Sequence, residues 1–73
     1  MSTRPVKRSL TLHGHRTSVS LEEAFWLEFR RIAEARGVSV NELAGLVDAD
    51  RGLQSGLASA IRVFVLNEVL QRD

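Results

Sequence analysis

The chain contains no cysteine, and it is poor in proline and in aromatic side chains. Its 73 residues include no Cys or Tyr, one Pro, one Trp and three Phe. Without cysteine the fold has neither a disulfide nor a zinc-thiolate cluster to stabilise it. A chain of this length buries only about 60% of its unfolded surface, so its core is small. We therefore expect one domain that gains part of its stability from a second subunit.

Long apolar runs are also missing. No run approaches the length of about 20 residues that spans a bilayer, and the basic N-terminus is not followed by the apolar core of a signal peptide. We therefore expect no membrane partner and a cytoplasmic location. The hydrophobic fraction of 44% and the mixed charge argue against a wholly disordered chain.

The formal net charge of +1 is unevenly distributed along the chain. Residues 1–21 contain four basic and no acidic residues, whereas residues 22–73 contain six basic and nine acidic ones, which gives +4 and −3. This asymmetry indicates an anionic partner for the N-terminal segment, either nucleic acid or a membrane surface. A solvated leader is the alternative interpretation.

The N-terminal third of the chain changes from a basic, mostly polar composition to the alternating pattern of a strand. We interpret residues 1–8 as a flexible basic arm, because they combine cations and Pro with little apolar content, and residues 9–73 as the folded domain. Polar and apolar side chains then alternate, which predicts a strand over 15–21 with one buried face. Gly14 interrupts the alternation, and the piece before it is either separated from the strand or folded back across Gly14.

The first helix is predicted over residues 22–36. Its apolar residues, beginning with Phe25, recur at the spacing of one helical face. Ser20 and Glu23 have the spacing of a capping box at its start, and Gly37 supplies a left-handed end.

Two further helices follow. Ser39 and Glu42 have the spacing of a second capping box, which predicts a helix over 39–48. The last helix is predicted over 57–71, and apolar residues occupy most of its circumference. Because a small monomer cannot bury such a helix on all sides, we expect it at a subunit interface.

A single strand leaves unpaired backbone groups along both edges. Pairing with the same strand of a second copy gives an antiparallel two-stranded ribbon, so we predict an intertwined homodimer, or a higher oligomer, that is mainly α with one N-terminal strand in each chain. The expected dimer core consists of apolar side chains from the strand and from the first and third helices: Val19, Leu21, Phe25, Trp26, Phe29, Ile61, Phe64 and Val65.

The solvent face of that ribbon carries candidate base contacts. Arg16, Ser18 and Ser20 alternate along the strand. A two-stranded ribbon fits the DNA major groove, where Arg suits guanine O6 and N7 and Ser suits either kind of base edge. Ser20 has a competing role as the cap of the first helix.

The segment SVSLEEAFWLEFRRIAEARGVSVNELA, a strand followed by two helices, resembles the ribbon-helix-helix superfamily of bacterial transcription factors, which includes the Arc and methionine repressors. KRSLTLHGHRTSVSLEEAFW and ASAIRVFVLNE are similar, more narrowly, to small alphaproteobacterial ribbon-helix-helix domain proteins. The resemblance implies that the solvent-facing strand residues read bases. It also implies that backbone amides at the start of the second helix bind a phosphate, here those of Val38, Ser39, Val40 and Asn41.

These observations predict a sequence-specific DNA-binding protein that acts as a transcriptional regulator. Neutralisation of phosphates by Arg4, Lys7 and Arg8 would add affinity for double-stranded DNA. The alternative is a dimeric interaction or assembly module that keeps the fold and has lost DNA binding, which the acidic body and the apolar third helix favour.

We predict neither enzyme activity nor a bound metal or cofactor. The sequence offers no nucleophile with a base, no glycine-rich phosphate loop and no paired carboxylates in a plausible cleft. His13 and His15 flank Gly14, but no Cys and no nearby acid completes a set of metal ligands.

Overall fold

The computed structural model describes residues 3–51 and 56–72, which form an antiparallel sheet of two strands followed by three helices. The predicted order of ribbon, helix, helix and additional C-terminal helix is confirmed. The elements in chain order are β1 (Pro5–Leu12), β2 (His15–Glu22), α1 (Glu23–Arg36), α2 (Val40–Asp50) and α3 (Leu57–Leu70).

β1 and β2 form a hairpin within one chain, whereas the sequence predicts a single strand completed by a second copy. Eight residue pairs run from Pro5 opposite Glu22 to Leu12 opposite His15. His13 and Gly14 form the turn, with φ values of 53° and 82°. Positive φ at both central residues is what a two-residue type I′ hairpin turn requires, and Gly adopts it without steric cost. The piece before Gly14 therefore folds back along the strand and is not separated from it.

The prediction of a flexible arm over residues 1–8 is wrong for residues 5–8. These residues form the first half of β1, because each lies opposite a residue of β2 in the register of the hairpin. Pro5 stands at the first position of the strand, one of the places where a sheet tolerates proline. Residues 1 and 2 of the predicted arm lie outside the described residues.

The inner face of the hairpin packs against the three helices of the same chain. Leu10 and Leu12 of β1 and Val19 and Leu21 of β2 are all buried. Their alternate spacing puts them on one side of the sheet, because successive side chains of a strand point to opposite faces. Leu43, Ala44 and other buried side chains of the helices complete the core.

Five side chains expected in the dimer core are instead buried within a single chain: Val19, Leu21, Phe29, Ile61 and Val65. This corrects their assignment to a subunit interface. The physical reason is that the hairpin supplies its own second strand, so the sheet closes on the helices of its own chain. The other three expected residues, Phe25, Trp26 and Phe64, are partly buried and pack against this core.

α1 begins without the predicted cap. Its N-cap residue is Glu22, whose side chain makes no capping hydrogen bond. Ser20 lies within β2, because the strand continues to Glu22, so the capping box of Ser20 and Glu23 is wrong. The predicted end of α1 is confirmed, since Gly37 is left-handed with φ 71°.

The capping box of α2 is confirmed. Ser39 Oγ accepts a hydrogen bond of 3.0 Å from the Glu42 N–H, and Glu42 Oε1 accepts one of 3.3 Å from the Ser39 N–H. α2 then extends to Asp50, two residues beyond the predicted end. Within residues 3–51 and 56–72, no helix has the length and apolar character to cross a bilayer.

Candidate nucleic-acid interface

The solvent-facing side of the hairpin carries six exposed polar side chains. The register places Lys7 opposite Ser20, Ser9 opposite Ser18 and Thr11 opposite Arg16. We call this set the outer face: Lys7, Ser9, Thr11, Arg16, Ser18 and Ser20. It has a cation at each end, hydroxyls between them and no acidic side chain. At about 3.3 Å per residue it is roughly 13 Å long.

The structure brings the three predicted base contacts together. Arg16, Ser18 and Ser20 are all exposed on this side, while Val19 and Leu21 between and after them are buried. Ser9 and Thr11 join them from β1, and sequence reasoning missed both. The alternation of polar and apolar residues in β1 could have identified them, provided that His13–Gly14 was recognised as a hairpin turn.

Arg8, an expected phosphate contact, lies on the inner side of the hairpin instead. It follows the phase of Leu10 rather than that of Lys7. Its Nη2 lies 2.5 Å from Glu23 Oε2, and its guanidinium carbon lies 5.2 Å from the ring centroid of Trp26. Because this guanidinium is held against α1, we remove Arg8 from the candidate phosphate contacts.

The remaining basic candidates of the N-terminal segment stay exposed. Lys7 lies on the outer face, and Arg4 is exposed immediately before β1. Both therefore lie at the open end of the hairpin, away from the turn.

The start of α2 is held against β1 beside the outer face. Asn41 Oδ1 accepts a hydrogen bond of 3.0 Å from the Thr11 N–H. That N–H points away from β2, so Asn41 covers the otherwise free edge of β1 at this position. The N-terminus of α2 is thereby fixed near the end of the outer face that holds Arg16.

Two of the four predicted phosphate-binding amides are engaged within the chain. The Val38 N–H donates to Ala33 O at 3.0 Å, and the Ser39 N–H donates to Glu42 Oε1 at 3.3 Å. The other two amides belong to Val40 and Asn41, the first residues of α2, which have no acceptor within the helix. Those two amides and the helix dipole suit an anion, although the Glu42 carboxylate places a negative charge nearby.

The outer edge of β2 is partly covered by α3. Arg62 donates to the Glu22 carboxylate at 2.8 and 3.1 Å and to Ser20 O at 3.2 Å. Its hydrogen bond holds the pKa of Glu22 below the ordinary value, with help from a backbone hydrogen bond.

The contact at Ser20 also defines the direction of the neighbouring backbone groups. Since Ser20 O points away from β1, the backbone groups two and four residues earlier, at Ser18 and Arg16, point the same way. Within the described part of the chain, the Ser18 and Arg16 groups on this edge have no strand partner. They form what we call the free edge of β2.

His13 packs against α2. A Cβ added to Gly45 would lie 3.7 Å from His13 Cε1. Among residues 3–51 and 56–72, no three His, Asp or Glu side chains come together as potential metal ligands.

Comparison with known families identifies the domain. The model of the ribbon-helix-helix domain family matches residues 5–69, which include the hairpin, α1, α2 and nearly all of α3. No curated protein and no solved structure matches the chain. Ribbon-helix-helix domains are a non-enzymatic fold that is common in DNA-binding transcription regulators. Because the match covers most of its length, this chain belongs to the ribbon-helix-helix domain family.

Proposed function

We propose that this protein is a sequence-specific DNA-binding protein that regulates transcription by placing the outer face of its hairpin against the major groove. The observation that carries the proposal is the open outer face itself, which is exposed and basic at both ends. Glu22, the next residue of β2 in the same phase, has its carboxylate paired with Arg62. Family membership supports it. The narrower resemblance of the KRSLTLHGHRTSVSLEEAFW segment favours a protein of alphaproteobacterial type that acts in the bacterial cytoplasm.

Arg16 is the strongest candidate for reading sequence. Its guanidinium can donate two hydrogen bonds to guanine O6 and N7, a contact that discriminates against a wrong base by about 1–3 kcal/mol. Ser18 and Ser20 are short and can donate to or accept from several base edges, so they discriminate less. One chain therefore offers a single strong base contact, which favours recognition by two copies.

Phosphate contacts would set the position of the hairpin in the groove. Lys7 and Arg4 supply cations at the open end, while the Val40 and Asn41 amides supply donors near the turn. Contacts at both ends fix the orientation of a protein on the duplex without carrying sequence information.

We infer that the DNA-bound form is a homodimer in which two β2 strands pair antiparallel through their free edges. This pairing keeps the intermolecular ribbon expected from the sequence and adds β1 as an outer strand on each side. With strands about 4.8 Å apart, the two β1 strands would lie roughly 14 Å from each other, close to the groove width of about 12 Å. The β2 strands would then enter the groove while Lys7 lies above its walls.

Replacing Ser18 by proline tests the pairing of the β2 strands. Its N–H points to the free edge, so Ser18→Pro removes a donor between copies while sparing the ladder to β1. We expect Ser18→Pro to sediment as a monomer and Ser18→Ala, which keeps the N–H, to remain dimeric. A dimeric Ser18→Pro variant that retains its circular dichroism spectrum would refute the pairing.

The rival function is a dimeric assembly module without DNA binding. That function would gain support if the N-terminal segment lay over the outer face. Residues 5–12 instead pair beside β2, in the plane of the sheet, and leave the outer face exposed, which favours the DNA-binding function.

Selection of bound sequences from a random pool of duplexes tests the function. The enriched duplex would then be titrated with the wild type, with Ser18→Glu on the outer face and with Ala35→Glu in the last turn of α1, two substitutions of equal charge change at exposed positions. We expect Ser18→Glu to bind at least about tenfold more weakly and Ala35→Glu to stay within about threefold. Absence of duplex binding at low salt, or equal binding by the two variants, would exclude the function.

A further inference from the structure

α3 is apolar on two opposite sides. Ile61 and Val65 are buried in the core of the chain. On the side away from them lies a row that we call the α3 stripe, whose side chains are between 52% and 71% exposed: Val63, Leu66 and Leu70. These three recur at i, i+3 and i+7, the spacing of one helical face. Such a row of exposed apolar side chains marks an interaction surface.

The α3 stripe carries no charge. Both charged residues of α3 are directed to other elements, since Arg62 binds Glu22 and Glu68 lies 2.6 Å from Arg36. A face without cations does not suit the phosphate backbone of a nucleic acid. It also offers nothing to complement a charged peptide, so the partner of this face is itself apolar and uncharged.

The α3 stripe adjoins the free edge of β2. Leu66 follows Arg62 by one helical turn, so both side chains lie on the same side of α3. Arg62 reaches the edge of β2 directly, through its 3.2 Å hydrogen bond to Ser20 O. A second copy that pairs along β2 therefore also meets the α3 stripe.

The area of the α3 stripe agrees with a dimer interface formed by the stripe together with the free edge of β2. Three half-exposed Val and Leu side chains leave roughly 300 Å² uncovered, less than half of the ~800 Å² that each partner buries in an interface of standard size. The strand edge next to the stripe can supply the remainder. Neither surface alone is large enough for a stable dimer.

The same side of α3 also combines a ridge with a groove. A groove of about 500 Å³ runs between α2 and α3. Leu46, Val63 and Phe64 line it on the apolar side, and Arg36, Asp50 and Arg51 also line it. Leu46 is 59% exposed there. A face that holds both a ridge and a groove can pack against a copy of itself across a two-fold axis.

We propose that the α3 stripe packs antiparallel against the α3 stripe of a second copy, so that Leu66 lies near the two-fold axis. This contact completes the dimer that the β2 strands begin, and it rests on the dimer of the proposed function. α3 is the helix that follows the ribbon and its two helices. In this dimer its role is to fix the position of one hairpin relative to the other.

Sedimentation equilibrium of the full chain, without DNA, tests the contact. Leu66→Gln removes the central apolar side chain, and Leu27→Gln makes the same change at an exposed leucine of α1. We expect a wild-type dimer, a dimer dissociation constant raised about tenfold or more by Leu66→Gln, and a change within about threefold for Leu27→Gln. A wild type that is monomeric at about 100 µM, or equal effects of the two variants, would overturn the proposal.

Cysteine cross-linking gives a second readout that does not depend on weakening the dimer. The natural chain has no Cys, so a single introduced thiol reports one position. Under mild oxidation Leu66→Cys should give a covalent dimer, whereas Leu27→Cys should remain monomeric on non-reducing gels. No covalent dimer from Leu66→Cys, or a monomeric wild type that binds phosphatidylcholine vesicles through α3, would count against the proposal.

Duplex titrations of the same proteins separate this proposal from the proposed function. A wild-type dimer that is disrupted by Leu66→Gln but binds no duplex would support the α3 contact and refute the DNA-binding function. A wild-type monomer that binds a selected duplex specifically would support the DNA-binding function and refute the α3 contact.

Discussion

Arg8 and Arg16 lie on opposite faces of one hairpin, and replacing each by alanine separates fold stability from DNA binding. Arg8 pairs with Glu23 at positions where the side chains are 28% and 32% exposed, and it lies over Trp26. An ion pair of this exposure contributes about 0.2–1 kcal/mol and the cation–π contact about 0.5–1 kcal/mol. Arg8→Ala should therefore lower the free energy of unfolding by about 1–2 kcal/mol.

The effect on thermal unfolding follows from the size of the domain. For 60–100 residues, each kcal/mol shifts Tm by about 4–8 °C, so Arg8→Ala should lower Tm by roughly 5–15 °C. Arg16 is exposed on the outer face, so Arg16→Ala should change the free energy of unfolding by less than about 0.5 kcal/mol. The same substitution should weaken binding to the selected duplex by about 1–3 kcal/mol, which is roughly 5–150-fold.

Thermal circular dichroism and fluorescence anisotropy on the two variants measure both effects. Arg8→Lys serves as the control, because it keeps the charge but loses the planar guanidinium that lies over Trp26 and donates from Nη2 to Glu23. It should therefore recover only part of the stability. If Arg8→Ala kept the wild-type Tm and weakened duplex binding, while Arg16→Ala did the opposite, the assignment of the two faces would be refuted.

Three further substitutions have defined outcomes. Asn41→Ala removes the acceptor of the Thr11 N–H, so it should lower the free energy of unfolding by about 0.5–1.5 kcal/mol in urea titrations. It should also weaken duplex binding, because the hydrogen bond that holds the start of α2 against β1 is lost. Duplex affinity equal to that of the wild type would contradict this. Because Arg62 lowers the pKa of Glu22, that pair stabilises the fold above about pH 4.5 and the contribution is lost as the pH falls through the lower folded-state pKa. Tm curves of wild type and Glu22→Gln should therefore separate at pH 7 and converge in acid, and a constant separation would show that the pKa shift contributes nothing. Gly37→Ala meets no neighbour within 4 Å but keeps φ at 71°, so it should lower stability by about 1 kcal/mol in the same titrations, and an unchanged value would argue against the left-handed cap.

The helices were predictable because their limits depend on local signals. Ser39 with Glu42 and Gly37 act through hydrogen bonds and backbone conformations within a few residues, and both are found where the sequence indicates them. β1 is harder to recognise, since its first residues combine Pro with cations, a composition that also suits a mobile arm. Its pairing depends on a His-Gly turn, a weaker hairpin signal than Asn-Gly or Asp-Gly.

The candidate site was predictable only where it depends on strand alternation. That pattern identifies Arg16, Ser18 and Ser20 as one row, but it cannot show which residues lie opposite them in β1. The inward direction of Arg8 depends on Glu23 and on an aromatic ring of α1, which are tertiary contacts. For the same reason, the sequence cannot show which amides before α2 are already used by the chain.

A ¹H–¹⁵N NMR titration of the full chain with the selected duplex tests most directly whether the outer face contacts DNA. At 8.1 kDa the chain is small enough for complete assignment of its amides. The largest shift changes should map to the amides of the outer face and to Val40 and Asn41, with little change along the middle of α3. Maximal changes on α3, or no change at stoichiometric duplex in low salt, would contradict DNA recognition by the hairpin.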